Sequence, residues 1–182
     1  MTEFPAELTG TWEIDTAHST VGFAVKHAMV STTRGHFSGF AGGATIDAAS
    51  PEGSSAWLEI DATTITTGNT QRDGHLQSGD FWDVENFPKI TYKSTSAKLD
   101  GDNLVTTGDL VVRGNSHPVE ITWEFGGIAK DPYGNTKAGF DGEATIKRAD
   151  WGISWNAALE TGGFMISDKV KLVLEVEATK AV

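Results

Sequence analysis

Residues 118–128 and 137–147 each alternate apolar and polar side chains, and Asp131-Pro132-Tyr133-Gly134-Asn135 between them spells a tight turn. Val119, Ile121, Trp123 and Phe125 share one face of the first stretch; Ala138, Phe140, Gly142, Ala144 and Ile146 share one face of the second. Successive side chains of a strand point to opposite faces, so this pair predicts an antiparallel hairpin with a single buried side. The pattern recurs along the chain. Residues 89–99 and 104–113 flank Asp100-Gly101-Asp102-Asn103, a hairpin turn of the Asp-Gly kind. Further strands are read at 11–14 with 20–26, at 34–47, at 56–65 and at 168–178. In the 34–47 strand, Gly42-Gly43 interrupts the alternation and predicts a bulge or bend. About eight strands joined by short turns, with no strand-helix-strand alternation, predict an all-β antiparallel barrel. Residues 1–10 read as an approach and 11–182 as one barrel domain.

One stretch departs from this pattern. In residues 63–88, Thr67 or Asn69 is placed to cap a short helix that Gly79 would end, and Ser78 or Asp80 to cap a second helical turn. A helical insertion at about 69–84 is the expectation, packed over something apolar.

Charge narrows the partners. A formal net charge of −11 leaves no basic footprint for a phosphate backbone, so nucleic acid is not an expected partner. Cysteine is absent, which removes disulfides, thiolate metal sites and a cysteine nucleophile. No stretch is apolar enough to form an integral membrane segment, and residues 1–10 carry neither a basic region nor an apolar run, which predicts a cytoplasmic protein.

Val21, Phe23, Val25, Phe37, Leu58, Ile60, Phe81 and Phe140 are candidates to line a ligand channel, with ordinary core packing as the alternative for each. Gly22, Gly39, Gly42, Gly139 and Gly142 leave the wall without the bulk to fill an eight-stranded barrel. Arg72 and His75 are candidates to hold the polar head of an amphiphile; the alternative is an internal ion pair of Arg72 with Asp73 and a hydrogen-bonded histidine. Arg148 and Asp150 are expected to tie the irregular segment after 147 to the wall. His18, His27 and His36 are nine residues apart, which is no zinc spacing, so neither metal nor cofactor is expected. No nucleophile motif or phosphate loop appears, which makes catalysis the weaker expectation, with His75 or His18 as base if there is any.

Read together, Asp15-Thr16-Ala17-His18-Ser19 with Val21, Phe23, Val25 and His27, then Gly35-His36-Phe37, then Arg72-Asp73-Gly74-His75-Leu76 with Phe81 and Pro88 resemble the YceI-like family. The likeness continues through Gly108-Asp109-Leu110, Val112-Arg113-Gly114 and Arg148-Ala149-Asp150-Trp151-Gly152. The resemblance implies a lipocalin-like antiparallel barrel with a long apolar interior. It also implies an isoprenoid or other amphiphilic lipid as ligand, to be bound, sequestered or transported, and a possible homodimer. Many relatives carry an export signal, and none is expected from residues 1–10.

Overall fold

The computed structural model describes residues 4–182. Eight strand positions close into one antiparallel barrel, and three of these positions are filled by two segments each. β1 (Gly10–Ile14) and β2 (Thr20–His27) follow one another along β11 (Ile166–Lys180), which pairs with β2 up to Glu175 and with β1 from Ala178. β3 (Ser31–Phe37) and β4 (Phe40–Ile46) form the next position, and β5 (Ser55–Asp61) with β6 (Ile65–Thr66) the third. β7 (Lys89–Asp100), β8 (Asn103–Val112), β9 (Asn115–Lys130) and β10 (Thr136–Lys147) complete the circuit as successive hairpins. Closure leaves no long unpaired edge to recruit another chain. Among the described residues, no helix is long and apolar enough to cross a membrane.

The interruption expected at Gly42-Gly43 lies instead at Ser38-Gly39. There the Gly39 N–H donates to Thr64 Oγ1 and its carbonyl accepts from the Asp61 N–H, at 2.9 and 2.8 Å, so pairing passes from one neighbouring segment to the other. Gly42 and Gly43 remain in register with Leu58 and Trp57. Their role is close approach: a Cβ on Gly42 would lie 2.6 Å from Ile14 Cδ1, and one on Gly43 2.6 Å from the Trp12 carbonyl oxygen. The strand expected over 56–65 stops at Asp61, whose Oδ1 accepts from the Thr63 N–H and opens a turn at Ala62–Thr64.

The insertion holds one helix, not two. α1 (Thr70–Gln77) is capped by Asn69, whose Oδ1 accepts from the Arg72 N–H at 3.0 Å. Ser78 ends it in place of Gly79, its N–H and Oγ both donating to the His75 carbonyl. Residues 78–88 then double back as turns: the Trp82 and Val84 N–H groups donate to Leu76 and Gln77 carbonyls at the helix end, and Asp83 takes a φ of 49°. Those bonds satisfy the last carbonyls of the helix, which a second helical turn would have left unpaired. Arg113 Nη1 donates to the Phe81 carbonyl at 3.0 Å and fastens the segment to the β8–β9 turn.

Residues 4–10 pack against the opposite end of the barrel. Leu8 is 1% exposed, Trp12 Nε1 donates to its carbonyl at 2.8 Å, and Phe4 meets Phe125 edge-on. With Ile46, Ala97, Leu104, Ala138 and Ala178 they form a second apolar cluster that fills this end.

Candidate ligand channel

The barrel centre is open. Inward residues of the strands surround an apolar chamber of about 200 Å³ whose wall includes Val21, Phe23, Phe37, Leu58, Ile60 and Phe140, with Val170, Leu172, Leu174 and Val176 as alternate residues of β11. A second chamber of about 180 Å³ lies toward α1, bordered by Val25, Arg72, His75, Phe81, Trp155 and Met165. Phe23, Trp82, Arg148, Ile153 and Val170 border both, so the two chambers adjoin at a neck formed by these side chains. Together they reach the lower end of the roughly 300–1,000 Å³ spanned by small-molecule sites. All ten residues singled out in the sequence line one chamber or the other.

Several glycines keep the centre open by seating rings flat on the wall. Phe23 lies over its cross-strand partner Gly35, and Trp123 over Gly142, where an added Cβ would come within 2.5 Å of each ring. Gly39 sits outside the strands and Gly139 at the β9–β10 bulge, so neither contributes in this way. The first chamber's buried polar groups satisfy one another: Thr106 Oγ1 accepts from Trp123 Nε1 at 3.0 Å and lies 2.9 Å from the Tyr92 hydroxyl. Burial pushes the Tyr92 phenol pKa up, which keeps this hydroxyl neutral.

At the neck, Arg148 is 6% exposed. Its Nε donates to the Ser167 carbonyl at 3.0 Å, and Nη1 to the carbonyls of Ile153 and Trp155, both at 2.9 Å. No carboxylate lies within 4 Å of it among the described residues. Asp150, its expected companion, is exposed; it is Asp168 that caps the turn, accepting from the Ala149 N–H. Burial lowers the Arg148 pKa, yet a guanidinium keeps its charge in a protein. Rings complete the neck: Trp82 packs at 5.4 Å from Phe23 and 5.8 Å from Phe37.

At the mouth, the expected Arg72–Asp73 pair is replaced by a relay through Thr67. Arg72 donates to Thr67 Oγ1 and to its carbonyl, at 2.7 and 2.8 Å, while Asp73 Oδ1 accepts from the Thr67 N–H and hydroxyl. The helix aims Arg72 and Asp73 in different directions, and Thr67 has donors and acceptors for both. Arg72 is exposed, so its guanidinium is hydrated. His75 Nε2 lies 2.8 Å from Asp80 Oδ2, and its ring stands edge-on to Phe81 and Trp155 at 5.0 and 4.7 Å.

His18 lies outside both chambers. With Asp15 and Glu177 it forms a group whose ligand atoms fall within 4.8 Å of one another, and Lys137 Nζ sits beside them, 2.9 Å from Asp15 and 3.7 Å from Glu177. The Lys137 ammonium, then His18, holds the Asp15 carboxyl well below the usual range, and Asp15 raises the His18 pKa. The signs differ. The Asp15 contribution to stability is present above its unfolded pKa of about 3.9 and is lost as the pH falls, whereas that of His18 is complete below about 6.5 and fades as the pH rises through its raised folded value. An NMR titration should place the His18 midpoint above that of a free histidine, and Asp15→Asn should bring it back down; an unshifted midpoint would contradict the pairing.

A family model, the YceI-like domain, matches residues 12–178. The chain belongs to the YceI-like family. A UPF0312 protein of Pseudomonas aeruginosa is 35% identical over 163 residues, covering 90% of this chain and 82% of that protein. The crystal structure of a Campylobacter jejuni YCEI protein, 31% identical, superposes with a TM-score of 0.74 over the whole of both chains. A polyisoprenoid binding domain from Saccharophagus degradans shares the fold at 14% identity, with a TM-score of 0.64 over 93% of this chain and 98% of that one. In this YceI-like, lipocalin-like barrel the strand faces were legible from sequence, but the neck was not. Trp82, Trp155 and Met165 were absent from the candidate residues; the aromatic, irregular run after Arg148 marks Trp155, and Trp82 stands next to the candidate Phe81 in the helical insertion.

Proposed function

We propose that the protein binds and carries an amphiphilic lipid, with an isoprenoid or acyl chain in the apolar channel and the polar end at Arg72 and His75. The observation that carries this reading is the channel itself: two adjoining apolar chambers, the second of which is bordered by an exposed guanidinium and an oriented imidazole. The polyisoprenoid binding domain of the same fold supports the choice of ligand class. Native mass spectrometry of freshly purified protein should retain a lipid mass; protein that stays ligand-free when offered prenyl and acyl lipids would refute the proposal.

Arg72→Ala tests the head-group end. Losing a charge-assisted hydrogen bond should weaken binding of a phosphorylated prenyl lipid by about 1.5–3 kcal/mol and leave a prenyl hydrocarbon unaffected. Because Arg72 bonds to Thr67 and is exposed, the melting temperature should change little; equal loss for both lipids would remove Arg72 from the site. The His75–Asp80 pair favours a second reading, a hydrolase or isomerase acting on the bound lipid with His75 as base. Recovery of a processed lipid in place of the one supplied would select it.

A further inference from the structure

The three-residue β2–β3 connection, Ala28-Met29-Val30, contains a tight turn closed by a Val30 N–H to His27 carbonyl hydrogen bond, with φ of 50° and 64° at its central residues Ala28 and Met29. Such turns favour Asn-Gly, because both central residues need positive φ. Here an alanine and a methionine take those positions. The turn holds Met29 70% and Val30 83% exposed, and Phe164, across from it, is 62% exposed. These groups are contiguous: the Met29 sulfur lies against Gly163, which precedes Phe164, and the Ala28 N–H donates to the Met165 carbonyl at 2.6 Å. Met165 and His27 in turn border the second chamber, so the patch sits on the rim of the mouth.

Charge says what such a rim faces. The segments around the mouth, residues 26–34, 62–89, 113–114 and 147–169, carry eight Lys and Arg against seven Asp and Glu; the rest of the chain carries six against eighteen. Between Lys26 and Arg34, the stretch that includes the apolar tip, no acid occurs. An anionic surface therefore repels the far part of the molecule and tolerates only the mouth. Apolar side chains projecting from a loop beside basic ones are suited to the boundary between head groups and acyl chains.

We propose that the Met29–Val30 tip and Phe164 seat the mouth of the barrel on an anionic lipid bilayer, so that the ligand moves between bilayer and channel without crossing water. This rests on the lipid-carrier reading for its purpose, but not for its test. The whole protein is mixed with vesicles of phosphatidylcholine alone, or of equal parts phosphatidylcholine and phosphatidylglycerol, and floated through a density gradient. The wild type is expected to float with the anionic vesicles and much less with the neutral ones. The variant Met29→Ser/Val30→Ser/Phe164→Ser should float about tenfold less, with its melting temperature and its binding of a fluorescent prenyl lipid in vesicle-free buffer unchanged. Arg34→Glu/Lys169→Glu, which keeps the apolar tip, should abolish the preference for anionic vesicles.

Wild type that stays at the bottom of both gradients would overturn the proposal, as would a serine variant that floats as well as wild type. If the wild type stays at the bottom and light scattering shows a dimer that the serine variant breaks, the face belongs to a second copy of this chain, and the bilayer proposal fails. If the wild type floats, the serine variant does not, and neither binds the prenyl lipid, docking stands and the carrier reading fails instead.

Discussion

Arg148→Met should lower the melting temperature by on the order of 10 °C. Methionine matches much of the aliphatic volume but donates nothing, so the carbonyls of Ser167, Ile153 and Trp155 lose their partner inside the neck. Each stranded acceptor costs about 1–3 kcal/mol, and a combined loss of about 3–5 kcal/mol corresponds to about 2–4 °C per kcal/mol in a chain of this size. Arg148→Lys should rescue little of this, since one ammonium cannot reproduce the planar fork that spans both sides of the neck. A thermal melt of both variants decides the point; a loss of less than about 2 °C would show that these carbonyls find other donors.

Leu58→Trp is expected to have the opposite signature. Leu58 is half-buried and faces the first chamber, where an indole would occupy the space proposed for the lipid chain. Each displaced methylene forfeits about 0.8 kcal/mol, so excluding only a few should weaken binding of a prenyl lipid more than tenfold. The melting temperature should hold or rise, because the new ring fills a void in place of opening one. Titration with a fluorescent prenyl lipid alongside a thermal melt separates this from general damage, and undiminished affinity would place the chain outside the first chamber.

What could be read from the sequence follows from the period of a strand. Val170, Leu172, Leu174 and Val176 face inward because a slip of one residue would turn all four to water, so sequence alone assigns them. Breaks in strands are less legible. Gly42-Gly43 had the composition of a bend, but it is Gly39 that the Thr64 hydroxyl and the Asp61 N–H hold at the break, and those partners are 22 or more residues away in the chain. The Arg72–Asp73 pairing failed for a similar reason: adjacency on a helix does not make side chains meet, and Thr67 lay one turn before the helix, outside the window that suggests an ion pair. Arg148 ties the irregular segment to the wall as expected, but through backbone carbonyls, which every residue has and no sequence pattern marks, while Asp150 stays exposed.

Phe4, Leu8 and Trp12 pack together at the end of the barrel away from α1, and the Trp12 ring forms a floor of the first chamber there. On the carrier reading, a flexible chain that enters tail first stops at this floor, and whatever length exceeds the depth stays outside the rim. A lipid carrier built this way would measure its ligands. Affinity should climb with each added isoprene unit until the tail touches the floor, then level off as further units lie in water. Where that plateau begins gives the working depth of the tube, and shortening the floor side chains at Leu8 or Phe4 should move it to longer ligands.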